Sequence, residues 1–143
     1  MSGTINKILF AVDNSEYARA GIPLAAKFGK SENAEVLILH VLAPLPYLLA
    51  EEGVIVKIDR EMHLAGEELL LEFQRALEAD GVKCSVRLAE GEIASTVIEV
   101  CAEEKCGLII MGARGQGGLK SLLLGSVSHK VLQLSSTPVL IAR

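Results

Sequence analysis

The sequence predicts a single doubly wound α/β domain over residues 1–143, a five-stranded parallel sheet with helices on both faces. Three observations carry this. Five short aliphatic runs alternate with four amphipathic stretches, and parallel neighbours need such crossover helices. Half of the residues are apolar but only 3% are aromatic, so Leu, Val, Ile and Ala must fill the core, as they do in buried parallel sheets. A dense cluster of glycines follows the fourth aliphatic run, at the end of the sheet where ligands settle in such folds.

Lys7 to Val12 reads as the first buried strand. Ser15 follows as a helix N-cap, with Ala18, Ile22, Ala25 and Ala26 as the apolar stripe and Gly29 as the close of the helix. Glu35 to Val41 is the second strand. Ala43 to Asp59 holds two prolines, Gly53 and scattered apolar residues, and reads as an irregular connection, a candidate flap. Leu69, Leu70, Phe73 and Leu77 mark a long helix ending near Gly81, and Lys83 to Leu88 forms the third strand. Ile93, Val97 and Cys101 share the face of a third helix, which Cys106-Gly107 breaks before the strand Leu108 to Met111. Val127, Val131 and Leu134 outline a fourth helix, and Pro138 to Ala142 is the last strand.

Composition excludes several functions. A net charge of −4 gives no footprint for nucleic acid, which demands clustered Lys and Arg. The longest apolar stretch, Val41 to Ala50, carries two prolines and falls short of the roughly 20 residues of a membrane span. The run Ile8 to Val12 is too short for a signal peptide, so a soluble, cytoplasmic protein is expected. Cys84, Cys101 and Cys106 lack the spacing of zinc or redox motifs and read as free thiols. His40, His63 and His129 sit in no shared motif.

The strongest chemical signal is Gly112-Ala113-Arg114-Gly115, then nine residues, then Gly125-Ser126 opening a helix. Glycines let the backbone approach an anion, and the free amides and dipole of the following helix favour negative charge. Two other phosphate motifs fail. A Walker A loop needs glycines where Arg114 and Leu119 stand ahead of Lys120-Ser121, and the dinucleotide fingerprint belongs after the first strand, where Asp13-Asn14-Ser15 occurs. No nucleophile–base pair or metal-ligand cluster emerges, so efficient catalysis is not expected.

The glycine spacing resembles the nucleotide-binding branch of the universal stress protein family: glycine, two residues, glycine, nine residues, then glycine with Ser or Thr. Ile8 to Ser15 is similar to that family's opening strand and turn, with Asn14 in place of the usual Gly, and the likeness extends to Pro138-Val139-Leu140-Ile141. The resemblance implies strand order 3-2-1-4-5 and a bound ATP, with or without Mg²⁺. It places adenine near Val12, Val41 and Met111, the ribose by Asp13, and ribose and phosphates against Gly112 and Gly115. Gly125, Ser126, Val127 and Ser128 would donate to the β and γ phosphates, with Arg114 as charge support and Lys120 as a further candidate. It also implies a homodimer through Pro138 to Ala142, a short apolar edge that invites pairing. The expected role is a nucleotide-dependent regulatory or stress-response protein with unidentified protein partners. Two alternatives stay open here: a slow ATPase or nucleotidyl-transferring enzyme on the same fold, and a dimeric interaction module without nucleotide.

Overall fold

Strand β1 (Lys7–Ala11) buries Ile8, Leu9 and Phe10 completely, although successive side chains point to opposite faces, so both faces of the sheet must be covered. The computed structural model describes residues 4–45, 51–115 and 123–143. Around β1 stand β2 (Glu35–Leu42), β3 (Cys84–Glu90), β4 (Leu108–Gly112) and β5 (Val139–Ala142), all parallel, in the order β3-β2-β1-β4-β5. The chain winds outward from β1 in one direction and then returns to wind in the other. Its switch point is therefore the crevice between β1 and β4 at their carboxyl ends.

The first helical stretch is two helices, α1 (Glu16–Ala20) and α2 (Ile22–Ser31), where a single one is expected from the apolar stripe. Pro23 has no amide to donate back to Arg19, and Gly21 makes the joint. A Cβ on Gly21 would stand 2.8 Å from the Phe10 ring, so this joint lies directly on the sheet. Ser15 caps α1 as expected, accepting from the Ala18 amide at 3.0 Å. Gly29 does not end α2. It is buried inside the helix, where a Cβ would come 2.9 Å from Val82, and the left-handed Asn33 (φ 52) follows the true end.

The largest departure is α3, which runs from Glu52 to Ala79 and absorbs half of the expected irregular connection. Ala43 to Leu45 carry no regular element, and residues 46–50 of that connection lie outside the described residues. Helix propagation is easy once a nucleus exists, so the packed half of α3 extends backward through residues that bury little. Val54 and Val56 are about half exposed at 48% and 54%, which explains why no apolar stripe betrays the first turns. Leu69, Leu70, Phe73 and Leu77 hold the other half on the sheet, and Gly81 (φ 80) follows its end.

Helix α4 (Ile93–Glu104) ends on the left-handed Lys105 (φ 57), one residue before the expected break, and α5 (Ser126–Leu134) leads into β5. Helices α2 and α3 cover the face carrying Ile8, Phe10, Val36, Ile38 and Ile110. Helices α4 and α5 cover the face carrying Leu9, Leu37, Leu39, Ile109 and Met111. Among the described residues no helix is long and apolar enough to cross a membrane.

Two outcomes follow from this packing. Phe73 is fully buried edge-on against Phe10, with ring centroids 5.6 Å apart, so Phe73→Ala is expected to cost about 3–5 kcal/mol in urea denaturation. Glu92 caps α4 and pairs with Lys130 of α5 at 2.8 Å. That hydrogen bond, joined by those from Ser95 and Ala94, holds its carboxyl down at about 2. Its contribution is present above the ordinary carboxylate range and lost as pH falls toward 2. Glu92→Ala should thus lower the urea midpoint at neutral pH, and the gap from the unmodified protein should close on acidification through that window.

Candidate functional site

At the switch point a cavity of about 460 Å³ opens between the ends of β1 and β4 and the start of α5. Eleven of the residues singled out from the sequence line it: Val12, Asp13, Val41, Met111, Gly112, Arg114, Gly115, Gly125, Ser126, Val127 and Ser128. Three elements, β2, β4 and α5, and two loops contribute them, so only the parallel sheet brings them together.

Close approach explains the glycines. A Cβ on Gly112 would lie 2.8 Å from the Tyr17 Cβ and 2.9 Å from the Tyr17 carbonyl carbon, so the start of α1 rests on the bare end of β4. A Cβ on Gly115 would lie 2.8 Å from the Asp13 carboxylate, which brings the loop after β4 against the turn after β1. The other oxygen of Asp13 accepts from the Ser15 amide at 3.0 Å. Asp13 thereby organises the turn while Ser15 caps the helix.

The far end of the loop is clasped to its beginning. The Ala113 carbonyl accepts from the Gly125 amide at 2.7 Å and from the Ser128 hydroxyl at 2.6 Å. The Gly125 amide and the Ser128 hydroxyl are thereby engaged within the loop itself. What faces the cavity is the start of α5, where the amides of Ser126, Val127 and Ser128 are the first three of the helix and no side chain caps them. These donors and the positive end of the helix dipole favour negative charge at this wall of the cavity.

Arg114 is held sideways. Its guanidinium lies over the Tyr17 ring, 4.5 Å from the centroid, and Nη2 donates to the Tyr17 hydroxyl. It thus forms a wall of the cavity rather than a free arm. Lys120 lies outside the described residues, as does the stretch from Gln116 to Leu122.

The apolar part of the lining comes from Val41 and Met111 with Ile93 and Val97. His40, tied to no motif in the sequence, also stands there: its Nδ1 donates to the Val12 carbonyl at 2.8 Å and fixes the turn out of β1. A polar residue inside the run Val36 to Leu42 was the one signal of this. A second cavity of about 450 Å³ shares Asp13 and His40 but opens under α3 beside Glu68 and Glu72, where an anion would be repelled. The first cavity alone combines an apolar slot with amide donors, the pairing suited to a ligand with a flat ring at one end and negative charge at the other.

The universal stress protein family model matches residues 4–143. A universal stress protein of Bacillus subtilis, YxiE, is 36% identical over 148 residues, covering 96% of this chain and 99% of its own. The solved structure of MJ0577, from Methanocaldococcus jannaschii, superposes with a TM-score of 0.88 at 27% identity, covering 97% of this chain and 96% of that one. A universal stress protein of Archaeoglobus fulgidus, solved in complex with dAMP, shares the fold at a TM-score of 0.70 and 18% identity, over 97% and 98% of the two chains. With its whole described length matched and its strand order shared, the chain belongs to the universal stress protein family.

Proposed function

We propose that this protein binds ATP in the cavity at the switch point and acts in the cytoplasm as a nucleotide-dependent regulator of a stress response. The observation that carries this reading is the uncapped start of α5, three amides opening on a cavity whose lining is in part apolar. Adenine fits the slot between Val41 and Met111, the ribose lies by Asp13 and Val12, and the phosphates run past Gly112 and Gly115 to the amides of Ser126, Val127 and Ser128. The dAMP complex of a protein with this fold agrees with an adenine ligand. Mg²⁺ usually binds through substrate phosphates and one or two carboxylates. Asp13 is the one carboxylate lining this cavity among the described residues, a donor set that fits an ion carried in by the phosphates. Arg114, stacked on Tyr17, adds positive charge to the wall.

Strand β5 is the sheet edge, paired with β4 on one side. Its residues Val139, Leu140 and Ile141 are only partly buried, and we propose that Pro138 to Ala142 pairs with the same strand of a second copy to form a homodimer.

Both readings have direct tests. Thermal unfolding with ATP and Mg²⁺ at a hundredfold excess over Kd should gain about 2.7 kcal/mol, a rise of several degrees. Ser126 is the first helical residue after an extended Gly125 (φ −78, ψ 172), a position where proline is tolerated. Ser126→Pro therefore removes one amide donor while sparing the helix, and it should weaken ATP by roughly tenfold, the worth of one hydrogen bond to a charged group. No shift at millimolar ATP, or an unchanged affinity in Ser126→Pro, refutes the assignment. For the dimer, sedimentation at low micromolar concentration should give twice the chain mass, and a lone monomer would refute it.

A further inference from the structure

Away from the nucleotide cavity, one imidazole sits among carboxylates. Asp59 and His63 are spaced by four on α3 and so share a face of the helix, and Glu90 is the last residue of β3. One donor atom from each lies within 4.8 Å of the others. We propose that Asp59, His63 and Glu90 form a binding site for a divalent transition-metal ion of zinc's class.

Three observations support this, beginning with the ring's orientation. His63 Nδ1 donates its proton to the Asp59 main-chain carbonyl at 2.9 Å. A metal-ligating histidine characteristically anchors its second ring nitrogen in this way, which fixes the tautomer and presents the other nitrogen's lone pair. Here that lone pair belongs to Nε2, and it faces a Glu90 carboxylate oxygen at 3.2 Å. At that distance either a proton on Nε2 or a bound metal ion bridges the two, and titration with Zn²⁺ separates them.

The spacing suits a metal. Bonds of about 2.0–2.2 Å separate neighbouring donors around a tetrahedral ion by roughly 3.3–3.6 Å, close to the separation of Nε2 and the Glu90 oxygen. Asp59 Oδ1 stands 3.7 Å from Nδ1, the other nitrogen of the ring, within the 4.8 Å span of the three donor atoms. One imidazole and two carboxylates also form a borderline set that favours zinc-like ions over calcium or magnesium, which take oxygen alone.

The surroundings supply charge and room. The groups acting on His63 are Asp59, Glu90 and Glu67, all acidic. A cavity of about 240 Å³ adjoins the two carboxylates, lined also by Met62 and Gly91, with space for the waters that complete a coordination shell. It lies at the end of β3 beside Leu42, the register partner of Glu90. An ion here would pin the poorly buried first half of α3 to the edge of the sheet, at the same end as the nucleotide cavity.

The test uses Zn²⁺ alone on the full-length, nucleotide-free protein, titrated against a chromophoric chelator. One ion per chain is expected, and His63→Gln and Glu90→Gln should each weaken it tenfold or more while leaving the circular dichroism and urea midpoint in the absence of metal unchanged. Cys84→Ser controls for the half-exposed thiol and should change nothing. Co²⁺ substitution should give visible bands without thiolate charge transfer. Absence of binding, which would mean that a proton alone bridges His63 and Glu90, overturns the proposal. So does binding that survives His63→Gln or disappears in Cys84→Ser. Ser126→Pro leaves all three donors in place, so loss of ATP binding and loss of zinc binding are separate results.

Discussion

The carbonyl oxygen of Ala113 is the point on which the rest of the site depends. It closes the glycine loop by accepting from the Gly125 amide and the Ser128 hydroxyl, while the Ala113 amide bonds to Ala142 of β5 at 2.7 Å. One residue thus joins β4, β5 and α5, and it is almost fully buried at 1% exposure. Among the described residues the amides of Ser126 to Ser128 stay uncapped because the cap position is Gly125, which has no side chain to accept from them. Gly125 is required in the same place: a Cβ there would stand 3.2 Å from the Arg114 Cα, against main chain that cannot move aside.

The same crowding explains why the glycine spacing was legible in the sequence. A side chain on Gly112 would strike the Tyr17 main chain and one on Gly115 would displace the Asp13 carboxylate, so the pattern encodes how closely the loop, α1 and the first turn converge. Strands were equally legible, because a parallel sheet covered on both faces turns each strand into an unbroken aliphatic run. Asn14 for glycine did not disturb the turn, whose geometry rests on Asp13 accepting from Ser15.

What could not be read lies where packing overrides local signals. Gly29 resembles a helix stop, yet it is a contact glycine admitting Val82 and Val36, and nothing in its neighbours' identities distinguishes the two roles. Gly21 and Pro23 divide a stripe whose apolar periodicity continues across the joint. The start of α3 buries too little to show a helical period, and its stability comes from Phe73 and Leu77 several turns away. His40 was overlooked because its importance is a hydrogen bond to the Val12 carbonyl on the neighbouring strand, a relation set by register rather than by motif.

An acidic chain with a proposed site for an anion poses an electrostatic question, and the wall of the cavity answers it. Among the described lining residues the acidic side chain is Asp13 and the one Lys or Arg is Arg114, which is held on Tyr17. For the proposed nucleotide, affinity therefore cannot come from a cluster of basic side chains. It must come from oriented amides, at about 1.5–3 kcal/mol for each hydrogen bond to a charged group, from a helix terminus worth at most ~2 kcal/mol, and from the apolar burial of the ring. Fixed dipoles of this kind act at contact distance and lose little to salt, whereas a lysine patch attracts from afar and is screened beyond about 8–10 Å. A chain built this way discriminates by fit rather than by charge. On the proposed reading it would hold a polyphosphate that also brings an adenine ring.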